Sequence, residues 1–98
     1  MEDYSAKVWR ICIPPTPCMV VTARVFPGLA AGSRWRNQTP LWKRSHGLQL
    51  PPELPGVVLR WAMLAEGGWL AEVRVEARTG HGVVPLTIWV DQSAVRAV

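Results

Sequence analysis

At 98 residues the chain has room for one hydrophobic core and not for a second domain of ordinary size. A hydrophobic content of 49% excludes a disordered chain, and no run of about 18 apolar residues is present to form a membrane-spanning helix. The net charge of +4 is concentrated: residues 34–52 hold Arg34, Arg36, Lys43 and Arg44 and no acid, whereas residues 53–98 carry four Arg against five acids.

Six tryptophans (9, 35, 42, 61, 69 and 89) are many for so short a chain, and a few of them suffice to form most of a core. The amino-terminal Met-Glu-Asp-Tyr-Ser is acidic where a secretory signal is basic, so the sequence predicts an intracellular, cytoplasmic protein. In that compartment Cys12 and Cys18 are expected as reduced thiols. Nine of the eleven basic residues are Arg, a bias typical of GC-rich coding sequence in a bacterium or phage.

Residues 7–13 alternate, with Trp9, Ile11 and Ile13 on one face and Val8, Arg10 and Cys12 on the other, which predicts a strand. The Pro14–Pro17 run cannot donate ladder hydrogen bonds and is expected to end it. Residues 18–26 are β-branched and apolar, a second strand closed by Pro27-Gly28. Residues 28–56 are dense in Gly and Pro and read as an irregular basic segment, with one helical turn at 29–31 and short strands at 41–44 and 48–50.

Order returns at Val57. Val57–Glu66 places Leu59, Trp61 and Met63 on one face, and Gly67-Gly68 reads as a two-residue hairpin turn. Trp69–Arg78 alternates cleanly, with Trp69, Ala71, Val73, Val75 and Ala77 inward and Glu72, Arg74, Glu76 and Arg78 outward. Thr79–Gly82 is a second turn. Val84, Leu86, Ile88 and Val90 then share a face, with Thr87 and Trp89 opposite, and Pro85 marks an edge or bulged strand. Asp91–Ala94 fits a 3₁₀ turn and Val95–Val98 a short last strand.

This order, three meandering strands, a 3₁₀ turn and a short final strand, resembles the SH3-like small barrels over residues 57–98. The resemblance is one of pattern and carries no diagnostic motif. It implies a mainly β, small antiparallel SH3-like barrel, here with an extra N-terminal strand pair (1–27) and a long irregular loop (28–56), all in one domain. It also implies a surface free to bind peptide, methyl-lysine, RNA or DNA, so the fold does not choose the function.

No nucleophile-elbow, zincin, P-loop or dinucleotide motif is present, and the sequence predicts neither an enzyme nor a cofactor. Cys12, Cys18, His46 and His81 lack the paired-ligand spacing of a zinc site, so no metal is expected. The strongest local feature is residues 34–46, where Arg34, Arg36, Lys43 and Arg44 interleave with Trp35 and Trp42. Basic side chains neutralise phosphates and exposed indoles stack on unpaired bases, which points to nucleic acid. The competing reading has Trp35 and Trp42 plugging the barrel ends, leaving an interaction module or accessory protein of a bacterium, phage or mobile element. Its proline-rich segments and spare tryptophans would contact a protein partner. Trp89 is a second surface candidate, and an open edge of the N-terminal strands would allow a homodimer. No membrane partner is predicted.

Overall fold

The computed structural model describes residues 5–26, 42 and 46–98. A helical turn, α1 (Ser5–Val8), leads into β1 (Trp9–Val21), which ends in a 3₁₀ turn at Thr22–Arg24. There follow β2 (Glu53–Met63), β3 (Trp69–Thr79), β4 (Gly82–Asp91), a second 3₁₀ turn (Gln92–Ala94) and β5 (Val95–Ala97). The strands form one antiparallel sheet in the order β4-β3-β2-β1-β5. The protein is mainly β, as predicted. The sheet is not closed: among the described residues nothing pairs β4 with β5, and each forms an edge. No described helix is long and apolar enough to cross a membrane. Of the elements predicted in the irregular segment, the turn at 29–31 and most of the strand at 41–44 lie outside the described residues, while 48–50 reduces to a single bridge, Gln49 to Arg78.

The N-terminal strand pair is corrected to one continuous strand. β1 pairs Trp9–Ile11 with Ala62–Arg60 and resumes at Thr16 opposite Val58, so five steps on β1 match two on β2. Cys12–Pro15 occupy this bulge, where no ladder hydrogen bond is required of them, and the prolines therefore interrupt the register without ending the strand. The Ile13–Pro14 peptide is cis. Nor is β1 an appendage: its second half lies between β2 and β5. Its end is also earlier than expected, because the chain turns at Thr22. That side chain is buried, and its hydroxyl donates to the Pro51 carbonyl at 2.7 Å, while its backbone N–H donates to the Pro52 carbonyl at 3.0 Å.

β2 begins at Glu53, four residues before the predicted start, because Leu54, Gly56 and Val58 line the core side opposite Val20, Cys18 and Thr16. The β2–β3 hairpin closes through five residues rather than two: Met63 pairs with Trp69, and the Leu64 N–H donates to the Gly68 carbonyl. Gly67 has φ +101°, the left-handed geometry expected of this turn. β3, β4, the second 3₁₀ turn and β5 fall where the alternation put them.

The core is built from small and β-branched side chains: Cys18, Val20, Leu54, Val58, Ala71, Val73, Val75, Val90 and Ala94. Tryptophan does not dominate it. Trp61 is half-buried against the cluster, and Trp69, expected inside with Val73 and Val75, is half-buried at its end beneath the Arg10 guanidinium, 5.0 Å from the ring centroid. Cys12 and Cys18 are free thiols, and burial pushes the Cys18 thiol up. Across β1, Arg96 of β5 donates two hydrogen bonds (2.8 and 2.6 Å) to Glu53 of β2. These bonds and the guanidinium charge hold the Glu53 carboxyl below the usual range. Their small, salt-screened stabilisation is therefore present above ordinary carboxylate pKa values and is lost as pH falls through the lowered one.

β2 and β3 approach closely at Gly56. A Cβ there would lie 2.7 Å from both the Arg74 carbonyl oxygen and Val75 Cγ1, whereas one on Gly68 would meet Leu64 Cδ1 at an ordinary 3.6 Å. Gly56→Ala is expected to lower stability in urea unfolding by about 1–3 kcal/mol. Gly68→Ala should leave it unchanged or raise it by up to about 1 kcal/mol. Equal effects at the two positions would contradict the close β2–β3 approach.

Candidate interaction surface

One row of the sheet's outer face crosses four strands in register: Ile11 on β1, Arg60 on β2, Glu72 on β3 and Trp89 on β4. The alternation that turns Val73 and Val75 into the core necessarily turns Glu72 outward, and the bulge between Val58 and Arg60 aligns the guanidinium with it. Arg60 Nε donates to Glu72 Oε1 at 3.1 Å. The same guanidinium lies 5.1 Å from the ring of Trp9 and 5.2 Å from that of Trp89. β1 and β4 stand three strand spacings apart, about 14 Å in a flat sheet. Yet the two indoles lean over the intervening strands and meet edge to face, centroids 6.1 Å apart at 73°.

These side chains are organised but remain accessible. Trp9 is 45% exposed, Trp89 40%, and Ile11 and Ile13 beside them 69% and 87%. An arginine held by a carboxylate and two indoles loses little further rotamer freedom when something docks on it. Trp89 was legible as a surface candidate from its position opposite the apolar stripe. Arg60 was not singled out, although a lone charge in the apolar run Val57–Met63 signals an outward position. Trp9 belonged to a strand whose solvent face the alternation left undetermined.

Of the residues proposed from sequence as a nucleic-acid site, Arg34, Trp35, Arg36, Lys43 and Arg44 lie outside the described residues. Trp42 is described and is 63% exposed. At the end of that segment, His46 Nδ1 lies 3.0 Å from His81 Nε2 with the rings stacked, and just beyond it the Gln49 N–H donates to the Arg78 carbonyl at 2.7 Å. The carboxyl end of the basic segment is thereby joined to the β3–β4 turn. Sequence alone gave no sign that the two histidines meet. The four weighed ligands Cys12, Cys18, His46 and His81 are not gathered, and no group of three or more His, Cys, Asp or Glu side chains converges among the described residues.

Comparison of the chain with known protein families, characterised proteins and solved structures finds no match. A double-mutant cycle checks the outer-face contact directly. Trp9→Leu and Trp89→Leu, singly and together, are expected to show a coupling of about 0.5–1.5 kcal/mol in unfolding free energy. Strictly additive effects would mean that the indoles do not touch.

Proposed function

We propose that this chain is a non-enzymatic, cytoplasmic protein-binding module of the SH3-like small-barrel type, docking a protein partner on the outer face around Trp9, Arg60 and Trp89. The barrel assignment is supported by the strand order β4-β3-β2-β1-β5 and by the 3₁₀ turn between β4 and β5, with the open β4 and β5 edges in place of a closed barrel. The observation that carries the function is the contiguous exposure of two contacting tryptophans, a pre-oriented arginine and an isoleucine on a rigid sheet. Trp and Arg are the residues most enriched at binding hot spots, and a solvated apolar cluster of this kind has a cost unless something covers it.

A nucleic-acid reading through residues 34–46 rests on one observation, the exposed indole of Trp42. In that reading Arg34, Arg36, Lys43 and Arg44 supply phosphate contacts and Trp35 or Trp42 the stacking.

Two variants separate the readings: Trp89→Ala on the outer face, and the combined change of Arg34, Arg36, Lys43 and Arg44 to Ala. For the protein-binding module, a partner captured by photo-crosslinking from position 89 in source cells is expected to bind Trp89→Ala at least about tenfold more weakly, with the quadruple variant unaffected. For the nucleic-acid reading, the chain binds DNA or RNA at low salt, and the quadruple change flattens the log K against log salt slope by roughly three units. A partner that binds wild type and Trp89→Ala equally well would end the outer-face proposal.

A further inference from the structure

We infer that the free edge of β1 pairs antiparallel with the same edge of a second copy of this chain, joining two sheets about a dyad at Ile11. β5 covers β1 only at Cys18–Val20. Upstream, residues 9–13 have no strand, among the described residues, on the side away from β2. The open stretch is bounded at both ends, by the helical turn Ser5–Val8 and by Pro14-Pro15, which offer no N–H. It is thus a five-residue stretch with Ile11 at its centre, its last two residues in the bulge, and apart from Arg10 it bears exposed apolar side chains where unpaired edges usually carry charge.

Self-pairing fits this edge because of how the side chains fall. Directly opposed residues in an antiparallel pair share a face, so a dyad can centre only on a residue opposed to its own copy. Centred on Arg10, the pairing would oppose two guanidiniums. Centred on Cys12, it would leave Trp9 unmatched and oppose Arg10 to Pro14. Centred on Ile11, all five residues are used: Ile11 meets Ile11, Trp9 meets Ile13, and Arg10 meets Cys12, so no like charges are opposed. The dyad stands perpendicular to the joined sheet and sets both Trp9–Arg60–Trp89 clusters on one surface. A five-residue edge buries less than a standard interface, so the association is a concentration-dependent equilibrium. This pairing stands independently of what docks on the outer face.

Sedimentation equilibrium of the full chain over a wide concentration range is expected to show monomer–dimer exchange. Ile11→Lys, which opposes two charges at the dyad, should hold the chain monomeric with its far-UV circular dichroism unchanged. Should that variant unfold, cysteine crosslinking decides. Ile11→Cys is expected to form an intermolecular disulfide on mild oxidation beyond any formed by wild type through Cys12. Ile13→Cys, about 13 Å from its own copy in this register, should not. Trp89→Ala should dimerise as wild type does, which separates this pairing from the docking reading. A wild-type chain monomeric at every concentration, a folded Ile11→Lys variant that dimerises normally, or equal crosslinking from positions 11 and 13 would overturn it.

Discussion

β1 has to serve as two kinds of strand at once. From Cys18 to Val20 it is internal, hydrogen-bonded to β2 and to β5, and its alternate side chains enter the core. From Trp9 to Ile11 it pairs with β2 alone. A regular strand of this length would hold one register with β2 along its whole course. The bulge at Cys12–Pro15 lets the two halves hold separate registers with β2, and it places Pro14 and Pro15 where no ladder bond to β2 is required of them. One alternation nevertheless runs through both halves: Cys18 and Val20 face the core, while Trp9 and Ile11, of opposite parity, face outward, where Trp9 meets Arg60.

The core that results is thin. Val, Leu, Ala and Cys side chains fill it, Trp61 is only half-buried against them, and Trp9 and Trp89 lie on the opposite face. Small β-branched residues suit this geometry, because β2 and β3 approach so closely at Gly56 that even a methyl group meets backbone. The indoles of Trp9 and Trp89 are therefore available outside. Arg60 organises them: its charge is matched by Glu72 and its guanidinium lies over the rings of Trp9 and Trp89, so an otherwise mobile surface side chain has fixed neighbours.

How legible this was depends on how local the determining physics is. β3 and β4 were readable residue by residue, because alternation over ten residues leaves only one facing that buries Val73, Val75 and Val90. The 3₁₀ turn was legible for a similar reason: the Asp91 carboxylate accepts from the Ser93 N–H, a contact two residues apart. β1 was misread as two strands because proline is a local signal and the bulge that accommodates it is set by β2, some forty residues away. The outer-face cluster was half legible. Trp89 announced itself by parity, but its meeting with Trp9 depends on the order of four strands, which no short-range pattern encodes.

The Thr22 clamp has a bearing on how such a chain can change over time. Thr22 grips Pro51 and Pro52 through its hydroxyl and its N–H, so the chain leaves the sheet and returns to it at one pinned point. A change in chain length between β1 and β2 therefore need not shift the register of either strand. Doubling the length of chain closed between two pinned ends adds an entropic penalty of only about 0.6 kcal/mol. Residues can then be gained, lost or exchanged there at little expense to β1 and β2. Two proline carbonyls and one threonine thus uncouple the register of the sheet from the length of chain that joins β1 to β2.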